Sequence, residues 1–401
     1  VTMQRQQVQP PGEAGVIILG GGVIGLSLAL ALAEAGLRPL LIEARSFGGA
    51  VTAGSLAGIG VHMHGMAEFH LMTEACRLWR DLAAKVGNPF EYNPQGQIGF
   101  ILDQEGMESG EAWVAEESAL GAPCRLLTPA QLREIEPGLT GPVLGATWAP
   151  DSATVNPFFA ARTLLRLARE AGALAFEHCP AAALLSQGGR ITGVRLANGQ
   201  EIRADHTILA AGPWSQEIAA PAGVMVPLRP RQAQCLVGLR QPPGTIRHVV
   251  SAVERRGGVD AGYTQIQQSV NGQILFNTVI TPVDSGAAGR DRINEVPASF
   301  VTSSIDMLVR LFPALADLVL LRSWVRFEAV SPDARFMAGR LAPEGLWICA
   351  GDNGSGYCRA LMLGRYLAGE ISGNSRAGLA PDLVAQARAL YAPARFSQQA
   401  A

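Results

Sequence analysis

The chain is 401 residues long and contains one lysine, Lys85, beside 31 arginines. That ratio points to a GC-rich gene rather than to chemistry. Basic clusters are also missing. The 32 basic residues are scattered among 34 acidic ones, for a net charge of −2 and a pI near 6.4, so nucleic acid and anionic membrane are not expected partners. The six cysteines (Cys76, Cys124, Cys179, Cys235, Cys349, Cys358) include no C-x-x-C pair and none at metal spacing from a histidine. They read as reduced, mostly buried thiols of a cytoplasmic protein, and no metal centre is expected. Outside residues 15–35 no apolar run reaches the roughly 18 residues a membrane span needs. No internal repeat is visible, and only the first dozen residues and the tail from about Ala392 look disordered. What remains is a globular chain, 48% hydrophobic, long enough for one large or two medium domains.

The exception, "GVIILGGGVIGLSLALALAEA", could pass for a signal or membrane anchor. Its glycines argue otherwise. Val16 to Leu19 form a short β-branched run suited to a buried parallel strand. Gly20, Gly22 and Gly25 then spell G-x-G-x-x-G, and an apolar helix follows as far as Gly36, a natural C-terminal cap. A second apolar run, Leu40 to Ile42, ends on Glu43, where a carboxylate is needed to hold the ribose hydroxyls of a dinucleotide. Gly20 permits the tight turn, Gly22 lets a pyrophosphate approach the backbone, and Gly25 lets the helix pack on the strand. Free N–H groups and the positive end of the helix dipole then meet the phosphates.

After Glu43 the segment "ARSFGGAVTAGSLAGIG" is rich in small residues and suits backbone lying against a ligand. Helical periodicity runs from Met66 to Val86, with Leu71, Ala75, Leu78 and Leu82 on one face. Short strands and polar turns fill Pro89 to Pro150. Asn156 caps and Pro157 opens a helix that stops at Gly172, followed by a strand at Ala173 to Glu177. A hairpin turns on Asn198-Gly199, and Thr207 to Ala211 reads as a buried strand ending at Gly212. Further strands are expected at Gln234 to Leu239, Thr264 to Ser269 and Gln273 to Thr278, and a helix over Ser299 to Leu311. The chain closes with a strand at Leu346 to Ala350, the loop "GDNGSG", and a helix through Ile371 capped by Gly373. Gly351 to Gly356 is thus a second junction where glycine follows a buried strand and precedes a helix. The N-terminal dipole of that last helix, and the N–H groups of Asn353 to Gly356, suit a site where negative charge collects.

At "DHTILAAGPWS" the sequence resembles the FAD-dependent amino-acid and amine oxidoreductases, the family of glycine oxidase, sarcosine oxidase and D-amino-acid dehydrogenases. The likeness continues, in the family's order, at "LTPAQLREIEPGL", "DSATVNP", "VRFEAVSPDARFMAG" and "WICAGDNGSGYCRALMLGRYLAGEISG". It implies an α/β fold with a Rossmann-like FAD-binding domain (residues 13–88, 151–220 and 325–390) interleaved with an α+β, mixed-sheet substrate domain (89–150 and 221–324). By position, Gly20, Gly22 and Gly25 would face the pyrophosphate of FAD, and Glu43, with Arg45 beside it, the adenosine ribose. Thr52, Ala53, Gly54 and Ser55 would approach the flavin ring, Pro180 the adenine, and Gly212 and Trp214 the pyrophosphate and ribityl chain. Gly351, Asn353, Gly354, Ser355 and Gly356 would edge the flavin.

Two departures matter. Relatives that oxidise amino acids carry W-A-G-L-R-P-x-T-P-D, whose arginine grips the substrate carboxylate. This chain reads "WVRFEAVSPD" from Trp324, which puts Glu328 at that position and Arg326 two residues earlier. Three readings stay open: Glu328 holds a cationic part of the substrate, Arg326 or another arginine replaces the anchor, or Glu328 belongs to a structural ion pair. Tyr263, Gln265, His62 and His64 are further pocket candidates. The second departure concerns oxygen, because the sarcosine-oxidase branch places a lysine over the flavin and Lys85 sits on an outer helix. The resemblance therefore implies an FAD-dependent dehydrogenase that oxidises a C–N bond of an amino acid or N-substituted amine to an imine, with hydride passing to flavin N5 and electrons to a non-oxygen acceptor. A peroxide-forming oxidase and a non-catalytic flavin or electron-transfer subunit are the alternatives, and an NAD-dependent enzyme would not need the second glycine junction. "AGSLAGIGVHMHG" also resembles the small catalytic subunits of heteromeric opine, hydroxyproline and hydrogen-cyanide-forming dehydrogenases, which implies an iron–sulfur or flavoprotein partner subunit.

Overall fold

Strand β1 (Glu13–Leu19) leads through the glycine turn into α1 (Val23–Glu34) and β2 (Leu40–Ile42). Next come β3 (Gly58–Ile59), α2 (Phe69–Val86), β4 (Gln97–Ile101), α3 (Gln104–Ala119), β5 (Arg125–Leu127), α4 (Pro129–Ile135), β6 (Gly145–Ala149) and β7 (Ala153–Thr154). Helix α5 (Pro157–Glu170) precedes β8 (Leu174–Phe176), β9 (Ala181–Gln187), β10 (Arg190–Leu196), β11 (Glu201–Leu209) and α6 (Ser215–Ala219). The rest holds β12 (Arg229–Arg240), β13 (Val249–Ala252), β14 (Tyr263–Gln268), β15 (Gln273–Val279), α7 (Ala298–Leu311) and β16 (Leu320–Val330). It ends with β17 (Met337–Arg340), β18 (Leu346–Ala350), α8 (Gly356–Ser372) and α9 (Pro381–Tyr391). This computed structural model describes residues 9–253, 263–279, 296–374 and 378–396.

Two larger sheets result. The first runs β17-β18-β11-β1-β2-β8 with the β9–β10 hairpin attached to β11, and β18, β11, β1, β2 and β8 are parallel. The second runs β16-β12-β15-β14-β13-β4-β6-β5 and is antiparallel except at β13–β4. The apolar run is interior: every residue of α1 from Val23 to Ala33 is buried. A helix apolar all round needs neighbours on every side, and α1 finds them in the first sheet, α5 and α8. Among the described residues no helix is long and apolar enough to cross a membrane.

Local chemistry explains several boundaries. The Asn156 side chain accepts the N–H groups of Phe158 and Phe159, Pro157 opens α5, and Gly172 follows it at φ +104°. Gly373 ends α8 in the left-handed region, and Gly87 does the same for α2. Two expectations need correction. Thr207 to Ala211 is no separate strand. Its first three residues finish β11, which pairs antiparallel with β10 near Glu201, parallel with β1 from Arg203 and parallel with β18 from Thr207. Strand β16, which spans residues 324 and 325, joins the second sheet through its pairing with β12. Order also extends further at both ends. Gln200 donates to the Pro10 carbonyl, and Pro393–Phe396 forms a 3-10 turn in which Arg395 pairs with Asp333 at 2.8 Å. The first eight residues and 397–401 lie outside the described residues.

Candidate active site

A cleft of about 1150 Å³ is lined by residues of both sheets and their loops, among them Glu43, Pro180, Tyr263 and Glu328. The glycine turn forms its first wall. Gly20 sits at φ +112°, and a Cβ there would lie 2.5 Å from the Ala210 carbonyl oxygen. At Gly25 a Cβ would fall 1.8 Å from the Gly20 carbonyl oxygen, so α1 can rest on this turn only through a glycine. The α1 N-terminus has no side-chain cap and no acid in its first turn. Its Val23 N–H donates to Thr52 Oγ1 at 2.9 Å, while Glu43 accepts from Gly21 N–H at 2.6 Å and from Arg45 N–H at 2.7 Å. An uncapped helix end beside a carboxylate at the tip of β2 fits the pyrophosphate and ribose of a dinucleotide.

The opposite wall is the loop after β18. Gly354, at φ +87°, leaves just enough room for its neighbours: a Cβ would lie 3.0 Å from Glu328 Oε2 and 3.6 Å from Arg231 Nη2. Helix α8 starts there without a side-chain cap or a first-turn acid. Glu328 is 4% exposed and stands opposite Arg231 in the β12–β16 register, with Arg231 Nε donating to its Oε1 at 2.7 Å. Burial and then the Glu328 charge raise the Tyr263 phenol well above its usual range, so it stays a neutral hydroxyl.

Asp352 completes the cluster, with Oδ1 accepting the Ala329 N–H at 2.9 Å. Burial first and the Glu328 charge second push its carboxyl up to about 7. Because this exceeds the unfolded value of 3.8, the native state holds its proton more tightly, and stability falls as pH rises from about 4 to about 7. Asp352→Asn is expected to remove most of that slope and to raise stability at pH 8 by about 2–4 kcal/mol. Urea unfolding of both proteins between pH 5 and 8 measures it, and parallel pH profiles would refute it.

Most of the sequence-derived candidates meet in this one cleft. Gly20, Gly22, Glu43, Arg45, Thr52, Gly54, Ser55, Pro180, Gly212 and Trp214 line it, as do Asn353, Gly354, Ser355, Gly356, Tyr263, Arg326 and Glu328. Gly25, Ala53 and Gly351 do not: Gly25 packs α1 on the turn, Ala53 lies within a 3-10 turn, and Gly351 faces Leu228. Arg326 is tied down, with Nε donating to the Ala50 carbonyl, Nη1 to the Val325 carbonyl, and its stem packed on Gly54. Gln265, His62 and His64 also line the cleft. Both His62 ring nitrogens are engaged, Nδ1 with Glu117 and Nε2 with Thr147, each at 2.7 Å, which makes it a clamp between the cleft wall and the second sheet. Burial and then Arg359 lower His64 to about 3, so it is a neutral imidazole. Arg231 and Asp352 were missed. The expected strand begins at Gln234, short of Arg231, and the flavin-edge residues expected in "GDNGSG" are Gly351, Asn353, Gly354, Ser355 and Gly356, which pass over Asp352.

Parallel strands with a glycine-turn dinucleotide site, and a charged cluster lining the same cleft, define a dinucleotide-binding protein. The chain belongs to the DAO family of FAD dependent oxidoreductases, whose model matches residues 15–370, and FAD is the cofactor of that family. It is 28% identical over 325 residues to the bifunctional protein ThiO/ThiG of a Nostoc species, a match covering 79% of this chain but only 46% of that protein. It is 27% identical over 369 residues to hydrogen cyanide synthase subunit HcnC of Pseudomonas aeruginosa, covering 82% of this chain and 84% of the relative. In fold it is similar to L-proline dehydrogenase from P. horikoshii, with a TM-score of 0.86, 24% identity, and 97% and 99% of the two chains covered. The protein is thus an FAD-dependent oxidoreductase.

Proposed function

We propose that the protein is a cytoplasmic dehydrogenase that oxidises the C–N bond of an amino acid or N-substituted amine to an imine and delivers the electrons to an acceptor other than oxygen. The observation that carries this reading is the continuity of the cleft: the dinucleotide turn and the cluster of Arg231, Tyr263, Glu328 and Asp352 line a single space. FAD, when bound, supplies the two-electron acceptor for the hydride that leaves the carbon bearing nitrogen. The chain's part is orientation and electrostatics. Gly20, Gly22, Glu43 and the α1 N-terminus would hold the pyrophosphate and ribose, and the uncapped start of α8 favours negative charge beside the Gly354 loop. Tyr263 offers a neutral hydroxyl, and Asp352 can take or give a proton near neutrality. No protein base is obligatory for a substrate that binds with its nitrogen neutral.

The acceptor assignment rests on Lys85. It stands at the end of α2, 72% exposed and 3.9 Å from Glu34, outside the cleft, so no lysine is available there to assist oxygen. Among the described residues no cluster could hold a metal ion. Since HcnC is by name a subunit, a partner carrying an iron–sulfur centre or a second flavin is the proposed route for the electrons.

Anaerobic titration of the purified yellow protein with amino acids, N-alkylated amino acids, opines and basic amines tests the reading. An amino acid or N-substituted amine is expected to bleach the flavin, with colour returning slowly in air and at least tenfold faster with an artificial dye acceptor. Immediate recolouring with stoichiometric peroxide would make it an oxidase, and no bleaching by any amine would leave the non-catalytic subunit.

A further inference from the structure

The open ends of the Arg231–Glu328 pair are the informative feature of the site. The pair uses Nε of the guanidinium and Oε1 of the carboxylate. The Nε–Oε1 bond is the one hydrogen bond either side chain makes among the described residues, which leaves Nη1 and Nη2 of Arg231 and Oε2 of Glu328 open, and both side chains line the cleft. The missing Cβ of Gly354 leaves space beside Glu328 Oε2 and Arg231 Nη2, so a pair of donors and an acceptor sit side by side against the loop that opens α8. We infer, on the basis of the amino-acid reading above, that Arg231 on β12 is the carboxylate anchor of this enzyme and that Glu328 both positions it and accepts a hydrogen bond from the substrate nitrogen.

The chemistry favours a zwitterion. A carboxylate and an amine one carbon apart match the Nη donors and Oε2 without breaking the Arg231–Glu328 contact, and the carboxylate bond is charge-assisted. A ligand with only an ammonium group would leave the guanidinium donors without an anion. A ligand with only a carboxylate would leave Oε2 facing it without a donor. Arg326 cannot serve as freely, since its Nε and Nη1 already hold the Ala50 and Val325 carbonyls. The sheet supplies the rigidity: Arg231 and Glu328 are paired residues in a ladder that runs unbroken from Arg229↔Val330 to Val237↔Arg322. An arginine on the neighbouring strand thus occupies the functional place that Glu328 vacates.

Two readouts on the holoenzyme test the assignment. The first is perturbation of the oxidised flavin spectrum by acetate, which needs no turnover. The second is the KM for an oxidised amino acid against that for its decarboxylated amine. Arg231→Met is expected to abolish the acetate response and to raise the amino-acid KM at least 100-fold, while the KM for the amine moves less than threefold. Arg231→Lys should restore part of the acetate response and guards against misfolding of the Met variant. Glu328→Gln should tighten acetate several-fold and raise KM for the amine. Loss of the acetate response in Arg326→Met but not in Arg231→Met would overturn the proposal, as would equal effects of Arg231→Met on both KM values. If no amine is oxidised at all, the functional reading fails, yet the acetate titration still decides which arginine is the anchor.

Discussion

Gly25→Ala is expected to yield protein that is insoluble or colourless, with a loss of at least about 3 kcal/mol in stability. Overpacking a core commonly costs about 1–3 kcal/mol and sometimes more, and this site belongs at the severe end because the obstacle is backbone. The new Cβ would fall 1.8 Å from the Gly20 carbonyl oxygen and 3.0 Å from its carbonyl carbon. Neither side can yield cheaply. Gly20 is itself pressed against Ala210, and α1 is buried from Val23 to Ala33, so moving the helix would open its contacts with α5 and α8 and swing its N–H groups away from the phosphate site. The ratio of flavin to protein absorbance and the thermal midpoint measure the effect. Gly36→Ala is the control. It meets nothing within 4 Å but sits at φ +87°, and should cost about 1 kcal/mol of backbone strain with full flavin content. A yellow, fully stable Gly25→Ala would show that α1 does not rest on the turn as described.

The second large effect belongs to a buried pair in the cleft wall. Arg359, 4% exposed on α8, donates through Nη2 to Glu68, 7% exposed. Arg359 Nε and Nη1, Glu68 Oε1 and the Tyr391 hydroxyl are buried without a hydrogen-bond partner among the described residues. The pair is therefore held by charge in a poorly hydrated place, where losing one partner strands the other. Arg359→Met should cost about 3–5 kcal/mol. Arg359→Met with Glu68→Met should recover most of that loss, since a buried ion pair often gives little net stability over apolar residues of similar size. Urea unfolding of the two single variants and the double variant supplies the cycle. A double variant as unstable as the sum of the singles would mean that the charges are not coupled.

Much of this architecture follows from sequence for a physical reason: its determinants are local. The steric demands of Gly20, Gly22 and Gly25, the Asn156 cap with Pro157, the left-handed Gly373 and the Asn198-Gly199 turn each act within a few residues. They mark elements wherever the chain goes, and the extents of β2, α5 and β18 follow from them closely. Glu43 was legible for the same reason, since it ends the strand that the glycine turn must face.

Only the tertiary structure decided what Glu328 is. Its partner Arg231 lies 97 residues away, and their meeting depends on the register of β12 against β16, where a slip of one residue would send each side chain to the opposite face of the sheet. That register is fixed by packing along the whole ladder. The same holds for Asp352, whose raised pKa exists because folding buries it beside Glu328, and for His62, whose two ring nitrogens are claimed by α3 and β6. Local sequence specifies turns, caps and periodicity, whereas charge pairing and burial are properties of residues that become neighbours only after the sheets have formed.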